Sequence, residues 1–301
     1  MGFLSRHKRR LCAACIFGVL LFLLRAASLL YACAVTGSLS YQPLISQAIT
    51  AFHNAGSNNL GPGYPTLPNL ESGYPDKTLV SPSIPCVILK AIAYVESSWH
   101  QAWHYVPRGS KGETLATSSC GYGVMQITSC MHNPGDCGLP PDVQQKIAED
   151  YIYNIGWGAK MLADKWNAGD YWKPEATIGN RDPQIAENWY YAVWAYHYWG
   201  WKNNPNNPEL DWPRPPFDGS QDRTGYPYQE LVWGYAAHPP SEGGAQLWDA
   251  IPLTLPPREA ICSDPVCQPG WINTPQPSHQ SPCTTSPMEY QISFPDIRKR
   301  S

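Results

Sequence analysis

Charge is scarce in this sequence. Asp, Glu, Lys and Arg make up 15% of its 301 residues, against about a quarter in an average soluble domain. The net charge is −3 and no long basic block lies outside the termini, which argues against a nucleic-acid partner held through its phosphates. No segment repeats at a fixed period, so nothing points to a solenoid or propeller. Phenylalanine is sparse as well, at 6 residues, while 13 Trp and 18 Tyr carry the aromatic content. Those rings join an apolar face to a polar handle and suit a wet, carbohydrate-like ligand as well as a core. Proline is the opposite case: 31 residues is about twice the usual share, so parts of the chain cannot be regular helix or sheet. The length fits one large domain with appendages.

The amino terminus reads as an address. Arg6-His-Lys-Arg-Arg10 precedes an apolar run from Leu11 to Leu24, the basic-then-apolar order of an export signal. Ala32-Cys33-Ala34 fits a signal-peptidase site, and Leu30-Tyr31-Ala32-Cys33 loosely resembles a lipoprotein box. Residues 11–36 also reach spanning length if Arg25 snorkels, which would attach the chain to a membrane. Cys12 and Cys15 fall inside the leader and read as small apolar filler. Beyond Cys33 stand seven cysteines, at 86, 120, 130, 137, 262, 267 and 283. In an oxidising compartment they form disulfides, with one thiol left over unless Cys33 joins them, and spacing does not fix the connectivity. Cys130, His132 and Cys137 also admit a zinc reading, although their spacing matches no standard knuckle; no metal or cofactor is expected.

Four segments follow from composition: a signal peptide or anchor over 1–34, a wrapping lead-in over 35–82, a helical domain over 83–201, and a Pro- and Cys-rich, loop-rich extension over 202–301. The lead-in carries one helical hint, around Leu44 to His53. In the helical domain, Pro85 opens a helix with Ser83 as its cap, and Ile88, Ile92, Val95 and Trp99 form its buried stripe. Asp142 and Gln145, after Pro140-Pro141, suggest a capping box and a helix running to about Asn167. Gly156 and Gly158 each weaken that helix by about 1 kcal/mol relative to Ala, which points to a backbone or ligand close by. Asp182-Pro183 opens a third helix through Trp189 and Tyr196 to Gly200. In the extension only Tyr228 to Ala237 could add a helical turn or two.

Four motifs carry the functional signal. Glu96-Ser97-Ser98-Trp99 ends the first helix, where apolar walls would desolvate the carboxyl and raise its pKa, keeping a proton available to a leaving oxygen. Taken alone, Glu96 reads as a helix-terminal glutamate facing water. Gly121-Tyr-Gly-Val-Met-Gln-Ile127 offers a tight turn, with Gly123 free to approach a ligand, Met125 as a soft contact and Gln126 as donor and acceptor. Asn154-Ile-Gly-Trp-Gly-Ala-Lys-Met-Leu162 lies on the second helix, and Ala195-Tyr-His-Tyr-Trp-Gly200 on the third. In this order and at these distances they resemble the lysozyme-like catalytic domain of the soluble lytic transglycosylases, over roughly residues 83–201.

That resemblance implies a mainly α fold of the lysozyme-like α+β class, a compact helical catalytic domain with long Pro-rich flanks. It implies that Glu96 is the single acid and base, that Ser97, Gly123, Met125, Gln126, Asn154 and Tyr196 bind or frame the sugar groove, and that peptidoglycan strands are the substrate of an exported enzyme. His197 departs from the pattern, standing where the family has asparagine. It could keep a hydrogen bond or add a titrating group.

Most glycosidases use two carboxyl groups. Glu113, Asp136 and Asp142 lie near the motifs but in no recognisable pairing with Glu96. A single-acid route to a 1,6-anhydro-muramyl end is the expectation. Plain hydrolysis of the goose-type lysozyme kind, and a catalytically idle sugar-binding wall protein, are the alternatives.

Overall fold

The computed structural model describes residues 33–168, 177–210, 213–261 and 270–283. The leader, Cys12, Cys15, Cys262, Cys267 and the basic end at 298–300 lie outside these residues. Among the described residues the fold is helix-rich with small sheets. Six α-helices are present: α1 (Ile45–Gly56), α2 (Cys86–Ser97), α3 (Pro141–Glu149), α4 (Tyr151–Asn167), α5 (Tyr190–His197) and α6 (Tyr228–Ala237). The strands form three antiparallel pairs: β1 (Leu39–Tyr41) with β4 (Lys111–Glu113), β2 (Leu70–Ser72) with β3 (Thr78–Val80), and β5 (Ser241–Glu242) with β6 (Ala245–Gln246). The first pair sets Ser40 opposite Gly112 and so ties the lead-in to the loop after α2.

Helix α2 is the central rod. Ile88, Leu89, Ile92 and Trp99 are fully buried, and α1 and α6 pack against α2. Its start differs from expectation: Pro85 is the cap residue and no side chain caps the helix. Its end is abrupt. Ser98 and Trp99 take positive φ, 52° and 62°, and each left-handed non-glycine residue costs about 1–2 kcal/mol. The turn swings Trp99 back under the helix, where its indole Nε1 donates to the Lys90 carbonyl at 2.9 Å and its rings meet Phe52 and Trp248 at 4.9 and 5.2 Å. Burying that indole offsets the strain.

The single helix expected from Asp142 to Asn167 is two. Asp150 adopts extended geometry (φ −104°, ψ 111°) and its carboxylate accepts from the Ile152 and Tyr153 amides, ending α3 and capping α4. Asp142 falls in the first turn of α3 rather than at its cap. The third helix also begins later than Asp182-Pro183. The Ala186 amide donates to the His279 carbonyl and Ile185 bridges to Gln280, so this backbone pairs with the extension instead of coiling. Regular helix starts only at Tyr190.

The core crosses the expected boundary at residue 201. The predicted short helix is present as α6, and its Leu231, Val232, Trp233 and Ala236 join the same apolar cluster as Ile88 and Trp189. Residues 270–283 are pinned through buried Glu187, whose carboxylate accepts from the His279 and Thr254 amides, and through the Cys86–Cys283 disulfide. Disulfides also join Cys33 to Cys120 and Cys130 to Cys137. Cys33 thus supplies a partner to the cysteines beyond it, and the Cys130–Cys137 bond removes the zinc reading, since both sulfurs are spent on each other. Such bonds fit an oxidising, extracytoplasmic setting. Among the described residues no helix is long and apolar enough to cross a membrane.

Candidate active site

Glu96 sits one residue before the end of α2, half-buried. The Tyr228 hydroxyl on α6 donates to its Oε1 at 2.6 Å. Burial pushes the carboxyl up to about 7, against the opposing pull of the Tyr228 bond and the nearby Arg223 charge. Desolvation wins because the carboxylate loses more water than one hydroxyl and one guanidinium replace. Burial, with the Glu96 charge added, holds the hydroxyls of Tyr228 and Tyr196 well above their ordinary value. Both therefore remain donors.

The glycine turn stands behind this carboxyl, fixed by side chains from three elements. The Ser97 hydroxyl donates to the Val124 carbonyl at 2.7 Å, and the Tyr196 hydroxyl to the Met125 carbonyl at 3.0 Å. Asn154 on α4 accepts from the Met125 amide at 2.8 Å and donates to the carbonyls of Tyr122 and Ile147. Gln101, missed by sequence reading, accepts from the Val124 amide and donates to the Ala148 carbonyl. Gly123 has φ 66°, and a Cβ there would lie 2.3 Å from the Gln101 side chain.

This arrangement divides the expected groove residues. Met125 and Asn154 are fully buried and Ser97 nearly so, so these three hold the loop rather than line a groove. The Gln126 amide turns back to donate to the Gly123 carbonyl at 2.9 Å. Gly158 leaves room for Met125, whose side chain a Cβ would approach to 2.7 Å, and Gly156 leaves room for Leu60. The close protein neighbours of these helix glycines are side chains rather than another backbone.

Two cavities meet at His197. One, of about 510 Å³, is lined by Glu96, His197, Asn203, Glu209, Arg223 and Tyr228. The other, of about 500 Å³, has aromatic walls of Trp166, Tyr191, Tyr196 and Trp199 with Arg181 among them. Both volumes suit a small ligand or part of a polymer. The His197 ring stacks on Tyr228, centroids 4.5 Å apart. Its Nδ1 lies 3.1 Å from the Asn203 amide nitrogen, which can only donate, so the ring proton belongs on Nε2. Burial and the Lys202 charge lower the His197 pKa, favouring the neutral ring. Gln229 on α6 ties this layer together by donating to the Asn203 carbonyl.

Tyr228, Asn203, Glu209 and Arg223 all come from the stretch that reads as loop-rich extension. Only the helical hint over 228–237 signalled any of them. Glu113, Asp136 and Asp142 do not line the Glu96 cavity. Among the described residues no group of three or more His, Cys, Asp or Glu could hold a metal ion. The site can deliver a proton from a desolvated acid into a polar cavity with aromatic flanks. No protein-family model, no curated protein and no solved structure matches this chain.

Proposed function

We propose that this chain is an exported lytic transglycosylase that cleaves the β-1,4 bond between N-acetylmuramic acid and N-acetylglucosamine in peptidoglycan, on a lysozyme-like scaffold. The observation that carries the reading is Glu96: a carboxyl titrating near 7, oriented by Tyr228 and open to a cavity. An acid poised at working pH can both give and recover a proton. Glu96 protonates the glycosidic oxygen as the anomeric C–O bond breaks, and the substrate's N-acetyl group stabilises the cationic carbon. The muramyl 6-hydroxyl then attacks that carbon and returns its proton to Glu96. No water is consumed, and the product is a 1,6-anhydro end. Holding the internal hydroxyl in place makes the attack unimolecular, which favours it over water.

Glu209 favours a second reading. It lines the same cavity as Glu96, and a second carboxylate in that cavity can activate water, giving hydrolysis instead. Digestion of purified sacculi, with fragment masses recorded in ¹⁸O-water, separates the two. Anhydro ends lack one water, whereas hydrolysed ends gain a labelled one. Fragment release by Glu96→Gln at the parent rate would overturn both.

A further inference from the structure

We propose that Arg223 and Lys202 form a carboxylate-binding corner in the Glu96 cavity, selecting glycan strands that carry an acidic group beside the scissile bond. The inference rests on the glycan reading above and specifies the substrate within it.

Arg223 is built into place. It opens a single 3₁₀ turn, Arg223–Gly225, in which the Asp222 carboxylate accepts from the Thr224 amide at 3.0 Å. One guanidinium N–H donates to the Val95 carbonyl at 2.8 Å, which parks the group at the end of α2, beside Glu96. The enclosed arginines Arg108, Arg181 and Arg214 have carboxylate partners in Glu242, Glu71 and Glu230, whereas Arg223 is exposed at the cavity rim. Arg223 has none within ion-pair distance among the described residues, nor has Lys202, and both line the cavity. Among the described residues, Glu209 is the only carboxylate besides Glu96 that lines it. Two cations lining one concave space focus positive potential on it, and the remaining guanidinium N–H groups match the two oxygens of a carboxylate. On a peptidoglycan strand that group is either the free lactyl carboxylate of a denuded muramic acid or a carboxylate of the stem peptide.

The test measures binding without turnover. Glu96→Gln protein is titrated calorimetrically with five ligands: a neutral chito-oligosaccharide, a denuded muramic acid oligomer, a peptide-bearing oligomer, and the carboxyl-methylated forms of the last two. Tighter binding of the acidic ligands than of their methyl esters is expected. The denuded and peptide-bearing arms identify which carboxylate is read. Adding Arg223→Gln or Lys202→Ala should weaken acidic ligands about tenfold, the scale of one charge-assisted contact, and leave chito-oligosaccharide binding unchanged. Arg223→Lys should restore part of the loss. Lys202 is exposed, so its variant reads out binding even if Arg223→Gln perturbs the end of α2. Equal affinity for acids and esters, or equal weakening of neutral and acidic ligands, would overturn the corner while leaving the glycan reading intact. No binding of any glycan would overturn both.

Discussion

The hydroxyl of Tyr228 and the carboxyl of Glu96 meet at 2.6 Å across 132 residues of sequence. The tyrosine is braced from behind by the His197 ring, which Asn203 holds, and Gln229 holds Asn203 in turn. The bond favours the ionised carboxyl while burial favours the neutral one, and burial prevails. Tyr228 therefore orients the acid and moderates its proton affinity.

Replacing Tyr228 with Phe keeps the stacked ring and removes only the donor. The Glu96 pKa should then rise further, moving the alkaline limb of the pH–rate profile upward from about 7. The rate below that limb should fall about tenfold, because the carboxyl loses its orienting partner. A downward shift of the limb would show that the hydroxyl does not stabilise the carboxylate.

The same titration bears on stability. In the fold Glu96 keeps its proton to about 7, while its ordinary value is 4.5. Between those values the native state binds more protons than the unfolded chain, so stability falls as pH rises through the interval. The cost is complete above about 7 and amounts to at most about 3 kcal/mol. Glu96→Gln should match the parent near pH 4 and exceed it in denaturant midpoint at pH 8. Parallel midpoint curves across that range would contradict the enclosed carboxyl.

The central helix was legible because its stripe of Ile88, Ile92, Val95 and Trp99 repeats at helical spacing, and spacing is a local property. Its abrupt end was not, since no glycine announces the left-handed turn at Ser98 and Trp99. Tertiary burial of the indole decides that geometry. The break at Asp150 was missed because Ile147 and Tyr151 continue the apolar stripe through it; the only cue was a carboxylate well placed to cap Ile152 and Tyr153. Asn154 could be read as important, yet whether its amide faced a sugar or a loop depended on Met125 and Tyr122, about 30 residues upstream. Tyr228 and Arg223 were further still from Glu96. Their stretch is rich in Pro and Asn and gave no sign that it closes the site.

Asn154→Ala tests the division of labour within the motifs. The buried amide makes three bonds to backbone groups of Met125, Tyr122 and Ile147. Losing it strands three polar groups, at a cost of about 3–5 kcal/mol. Thermal midpoint should drop sharply, while the folded fraction retains its KM, because the side chain does not reach the cavity. A raised KM with an unchanged midpoint would return Asn154 to the groove.

Cys33 bears on both maturation and stability. Its sulfur is joined to Cys120, so it is not available as a lipid thioether while that bond stands. A cut after Ala34 would detach Cys33 altogether. The neighbouring backbone is bound as well: the Ala34 amide donates to the Met131 carbonyl, and Val35 exchanges hydrogen bonds with the Tyr122 hydroxyl. These contacts lead directly into the glycine turn behind Glu96. Peptide mapping of the purified protein without reductant should therefore recover Cys33 crosslinked to Cys120. A lipid on Cys33, or a mature terminus at Val35, would refute this. Closing a loop of 87 residues is worth up to about 4–5 kcal/mol in chain entropy. The paired substitution Cys33→Ser with Cys120→Ser should lower the denaturant midpoint accordingly. Because the lost tether ends next to Tyr122, it should also raise hydrogen exchange over residues 120–127 before it does so in α4.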